Sequence, residues 1–195
     1  MHIAAAAARI MAEEGIDDFA LAKRKAARRL GAGDGEALPG NDEIEAELRE
    51  YLALYQSEEH PQRVGELRRI ALDAMQEFER FSPYLTGPVL AGLAGPYAQI
   101  ELQLFPESSK EVELFLLDRG INYEATDERR YTGDRARAVA LIATDWQGVP
   151  LRLSVFDPRD ERAAMKTTQA GKVTARAGIA EVRALVETEH GARAA

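Results

Sequence analysis

The stretch from Pro88 to Phe105, PVLAGLAGPYAQIELQLF, constrains the fold more than any other part of this chain. Two apolar runs flank a turn of glycine, alanine and proline. In the second run Ile100, Leu102 and Leu104 alternate with Gln99, Glu101 and Gln103. That pattern reads as a strand, a tight glycine turn, and a half-buried strand with polar groups on one face.

The rest of the chain falls into two characters. Helical spacing predicts helices over Ala4–Glu14 and Phe19–Leu30, with Asp17 or Asp18 as the cap of the second and Gly31 as its stop. Gly31–Gly40 carries four glycines and a proline and reads as a linker. Asn41 is the expected cap of a helix to about Gln56, and Pro61 fits the first turn of a helix reaching about Phe81. Ile44, Leu48, Leu52 and Tyr55 match Val64, Leu67, Leu72, Met75 and Phe78 in period, which predicts a helical hairpin.

From Ser82 onward strands are expected at Tyr84–Ala91, Gln99–Phe105, Ile121–Thr126, Ala138–Asp145 and Val149–Phe156, with helices at Ser109–Arg119 and Gly178–Glu189. Gln147-Gly148 reads as a hairpin turn. The expected fold is α+β, with N-terminal helices followed by a mixed sheet and flanking helices. The expected division is a helical segment with its linker at 1–40 and an α+β domain at 41–195, which includes the hairpin 41–81.

Composition removes several function classes. The chain of 195 residues has no cysteine, which excludes disulfides, thiolate metal sites and cysteine catalysis. His2, His60 and His190 are scattered, so a histidine-built metal site has no basis. A net charge of −8 argues against a whole-surface nucleic-acid binder. No apolar run approaches the ~20 residues of a membrane span, and the N-terminus lacks a secretion signal. The reading is a cytoplasmic protein without membrane contact.

The helix ending near Phe81, Val89-Leu90-Ala91-Gly92, Gln99-Ile100-Glu101-Leu102 and Leu151–Phe156 together resemble the nucleotidyltransferase-fold superfamily over about Glu66 to Phe156. In that superfamily a strand ends in Gly-Ser or Gly-Gly, a second strand carries two carboxylates spaced by one residue, and a third lies on a later strand. Hard cations bridging a triphosphate and a hydroxyl need oxygen ligands converging from one face. Here Leu93 follows Gly92, Gln99 holds the first carboxylate position, Glu101 the second, and Arg152 and Ser154 stand on the later strand. The resemblance implies a divergent member without nucleotidyl transfer, in which Gly92, Gln99 and Arg152 contact a nucleotide or other phosphorylated ligand. An active enzyme would need Mg²⁺, with Glu101 catalytic beside Asp157 or another carboxylate. The same alternation also fits any amphipathic edge strand.

Two basic segments stand apart. Lys23, Arg24, Lys25, Arg28 and Arg29 make one helix strongly basic, fit to grip nucleic-acid phosphates, to act in a protein-interaction module, or to serve as a solvated face. The Gly15 break before it resembles the start of a helix-turn-helix, although the linker separates any third helix. Lys166–Arg176, KTTQAGKVTAR, gathers Lys166, Lys172 and Arg176 with threonines and reads as a phosphate-binding or simply exposed loop. Trp146 beside the hairpin turn suits either base stacking or plugging of a core edge.

Overall fold

The computed structural model describes residues 3–32, 37–132, 135–163, 165–166 and 173–194. The chain forms two compact units, Met1–Val64 with Ala91–Ala98, and Gly65–Leu90 with Gln99–Ala195. The chain passes from the first unit to the second at Val64/Gly65.

The first unit holds α1 (Ile3–Glu14), α2 (Phe19–Leu30), α3 (Asn41–Tyr55) and the start of α4 (Glu59–Glu77). The Asp18 carboxylate caps α2 by accepting from the backbone N–H of Ala20 at 2.8 Å and of Leu21 at 3.1 Å. The cap of α3 is Gly40 and not Asn41, which is already helical; Glu43 reaches back to accept from the Gly40 N–H at 2.9 Å. Ala7 and Ala8 of α1 and Ala22 and Ala26 of α2 are fully buried with Ile44, Leu48 and Leu52 of α3, and Leu93 joins them. Alanines without bulk let the helices approach closely, so the apolar stripe of α3 packs on α1 and α2. The hairpin with α4 predicted for that stripe is not how it is used, and a third helix does pack with the first two despite the linker.

The second unit continues α4 and adds β1 (Tyr84–Thr86), α5 (Gly87–Ala91), β2 (Ile100–Leu104), α6 (Ser109–Asp118), β3 (Tyr123–Thr132), β4 (Arg135–Trp146), β5 (Val149–Val155), β6 (Met165–Lys166) and α7 (Ile179–Ala194). The strands form one mixed sheet in the order β1-β2-β5-β4-β3-β6, in which only β2 and β5 run parallel. The fold is α+β, helices first and sheet after.

Three expectations change. The strand predicted over Tyr84–Ala91 stops at Thr86, because Gly87 turns the chain with φ +72° and Pro88, with its preset φ and no N–H, starts a helical turn. Next, β2 is an inner strand between β1 and β5 and not an edge, which is why Gln103 is only 5% exposed. Finally, β3 and β4 pair over ten residues each, well past the predicted limits. The hairpin turn is as expected: Gln147 and Gly148 take φ +50° and +80°, the two positive values that a type I′ turn requires.

Alternate residues divide the sheet into two faces. One face, with Leu85, Ile100, Leu102, Leu104, Leu151, Leu153 and Ile142, is buried in the main core. Phe78, Phe81 and Phe115 pack ring to ring in that core, and Trp146 closes its edge at 5.6 Å from Phe78. The Trp146 indole N–H donates to Asp73 at 2.8 Å, which fits the core-edge reading. Among the described residues no helix is long and apolar enough to cross a membrane.

Candidate functional site

The opposite face of the sheet carries the polar groups. Register places Glu101 beside Arg152 and Gln103 beside Ser154 across β2 and β5. On β4, Ala143 and Leu141 continue the same two rows. Partners in register share a face, so these side chains, with Val139 and Arg137 of β4 and Glu128 and Arg130 of β3, line one surface.

Arg152 does not reach toward Glu101. Its guanidinium extends diagonally across β4 and donates from Nη2 to Glu128 Oε1 at 2.5 Å. Arg130 pairs with the other oxygen of the same carboxylate. Arg137, opposite Arg130 in register, lies 3.6 Å from Asp160, which is only 8% exposed. Three guanidiniums thus share two carboxylates, and arginine stays protonated throughout the working pH range. With Glu101 in register beside Arg152, three carboxylates face three guanidiniums on this surface. Glu128 and Asp160 hold the guanidiniums in place before any ligand arrives.

Beside the cluster sits an unanswered polar group. Gln103 is buried between β1 and β5, and its Oε1 has no hydrogen-bond partner among the described residues. A buried amide oxygen left unpaired costs about 1–3 kcal/mol. At one end of the face Tyr84, Phe105, Val139 and Phe156 form a small apolar cluster.

Gln99 donates weakly to Glu101 Oε1 at 3.5 Å. The carboxylate of Glu101 lies against Gly87, so close that a Cβ there would sit 2.7 Å from Oε2. The glycine that ends the first strand is therefore Gly87 and not Gly92, which follows α5 and belongs to the 91–98 segment of the first unit. Asp157 lies two residues past the end of β5 and five from Arg152, about 16 Å of extended chain, so it does not converge with Glu101. It is held instead by Arg159, whose side chain and backbone N–H both donate to it. These contacts lower its pKa from 3.8 to about 2. Among the described residues no three Asp, Glu or His side chains gather as a metal site requires.

The loop expected over Lys166–Arg176 is partly strand. Lys166 lies in β6 against Tyr131, four strands from β2. Arg176 stacks on Tyr84 at 4.5 Å and donates to the Glu161 carbonyl, which ties it to the scaffold. Lys172 lies outside the described residues. In the first unit Lys25 and Arg29 donate to Glu14 at 2.8 and 2.6 Å, and both contacts hold the Glu14 carboxyl below its usual range. The side chains of Lys23, Arg24 and Arg28 make no ion pair among the described residues.

The sequence reading singles out Arg152 but not the residues that it pairs with. Glu128 and Arg130 sit in β3, YEATDERRYT, where charge on both faces leaves no apolar alternation, and Arg137 lies just before the apolar run of β4. No protein-family model, no curated protein and no solved structure matches this chain.

Proposed function

We propose that this protein binds a nucleotide or another phosphorylated small molecule on a nucleotidyltransferase-like frame and does not transfer nucleotides. The observation that carries the reading is the arginine cluster Arg130–Arg137–Arg152. Its guanidiniums are preset by Glu128 and Asp160, and it lies on the polar face of the sheet. Guanidinium forks match phosphate oxygens in pairs, and a preset fork loses less entropy on binding. The order α4, β1, Gly87, β2 with Glu101, and the parallel neighbour β5 supports the superfamily resemblance. In that order a cation, Arg152, stands in register with Glu101 where metal chemistry calls for a third carboxylate.

Isothermal titration calorimetry with ATP, CTP, GTP, UTP and pyrophosphate, each with and without Mg²⁺, tests this reading. The expected result is metal-independent binding that weakens at least tenfold in Arg152→Ala and in Arg130→Ala. Binding that requires Mg²⁺ and disappears in Glu101→Ala overturns the non-transferring reading. Absence of binding by every probe overturns the ligand.

A further inference from the structure

The first unit holds a second cationic surface, chemically unlike the arginine cluster of the sheet. Helix α2 carries five cations and no acid in twelve residues. Its apolar side, Ala22 and Ala26, is buried against α1 and α3. That leaves the basic side outward: Arg24 and Arg28 are exposed, and Lys23 is partly so. Arg24 and Arg28 stand one turn apart, about 6 Å between Cβ atoms.

Glu14 divides the five cations into two sets. Lys25 and Arg29 are both engaged by its carboxylate, at 2.8 and 2.6 Å. Lys23, Arg24 and Arg28 have no carboxylate partner among the described residues. In the same unit α3 bears Asp42, Glu43, Glu45, Glu47 and Glu50 against one arginine. A polyanion is attracted locally by the exposed cations of α2.

We propose that α2 is a docking surface for the phosphate backbone of duplex DNA. The helix is about 18 Å long and 10–12 Å wide, and the B-form major groove is about 12 Å across. A-form RNA has a major groove too narrow for it. The free set, Lys23, Arg24 and Arg28, neutralises three phosphates, while Lys25 and Arg29 stay with Glu14. This surface is independent of the phosphorylated-ligand reading of the sheet, and each stands if the other fails.

Counterion release gives the proposal a number. Three neutralised phosphates imply a slope of log affinity against log salt of about −2.7, or about fortyfold weaker binding at 200 mM than at 50 mM salt. Freeing Lys25 and Arg29 by Glu14→Gln raises the count to five and the slope to about −4.5.

Fluorescence anisotropy of the full chain with a labelled 20-base-pair DNA duplex, titrated across salt, is the test. A duplex RNA and poly-glutamate of matched charge serve as competing probes. The expected outcome is a slope near −2.7 in the unaltered chain. Arg24→Glu with Arg28→Glu should lose at least tenfold in affinity, and Glu14→Gln should gain affinity and steepen the slope. The gain in Glu14→Gln cannot come from a misfolded variant, and circular dichroism confirms the helix content of the charge-reversed one. No DNA binding at 50 mM salt overturns the proposal, as does affinity unchanged by charge reversal. Equal or tighter binding of duplex RNA or poly-glutamate also overturns it.

Discussion

Gly87 shows how much one residue without a side chain can decide. At φ +72° it ends β1, and its bare Cα lets the Glu101 carboxylate approach. Gly87→Ala adds both a left-handed penalty and a Cβ 2.7 Å from Oε2, for an expected loss of about 1–3 kcal/mol in urea denaturation. In a Glu101→Ala background the loss should shrink, because only the backbone part remains. An equal loss in both backgrounds excludes the contact. Gln103 offers the opposite case. Its Oε1 is buried and unpaired among the described residues, so Gln103→Leu should leave stability unchanged or raise it by about 1 kcal/mol, read as a shifted denaturation midpoint. Asp157 gives a pH marker. Its pKa is lowered by Arg159, so its contribution is full above the ordinary carboxylate value of 3.8 and fades as pH falls toward about 2. Carbon-detected titration of its carboxyl should show a midpoint near 2; a midpoint near 3.8 means that the contacts with Arg159 do not persist in solution.

Among the elements, α5 and α7 are tied by one side chain. Arg68 of α4 donates to the carbonyls of Val89 at 3.0 Å and Leu90 at 2.7 Å, and to Glu189 at 2.5 Å. It satisfies the C-terminal carbonyls of a very short helix and anchors the last helix, at only 11% side-chain exposure. Arg68→Ala should cost about 2–4 kcal/mol and speed amide exchange in α7, whereas a loss confined to α5 would show that Glu189 does not need its partner. Nothing in the sequence marks Arg68, since its three acceptors lie 21 to 121 residues away. The elements that could be read were those with local signals. Asp18 and Gly31 bracket α2, Ser108 caps α6, and Gln147-Gly148 closes β4 on β5. β1 was misread because the apolar run Pro88–Leu90 suits a strand or a buried helix equally, and Gly87-Pro88 decides between them. The site was half legible for a similar reason. Arg152 stands out between leucines, but the carboxylate it reaches lies two strands away on β3, a neighbour set only by sheet order.

Across the whole molecule charge is unevenly shared. The chain carries −8 with a pI near 5.1, yet α2 holds five cations and no acid, and Arg130, Arg137 and Arg152 share one face of the sheet. Light scattering should show least solubility near pH 5, where the net charge vanishes and like-charge repulsion no longer keeps molecules apart. A minimum far from that pH implies that local patches, not net charge, govern association. The register of Arg152 with Glu101 limits what a substitution on β5 can do. No single substitution on β5 turns this face into a two-metal centre. Arg152→Asp alone would put a carboxylate beside Glu101 and deprive Glu128 of one of its two counter-charges. Negative charge gained beside Glu101 is negative charge left less balanced at Glu128, so the two carboxylates compete for one guanidinium through a single position.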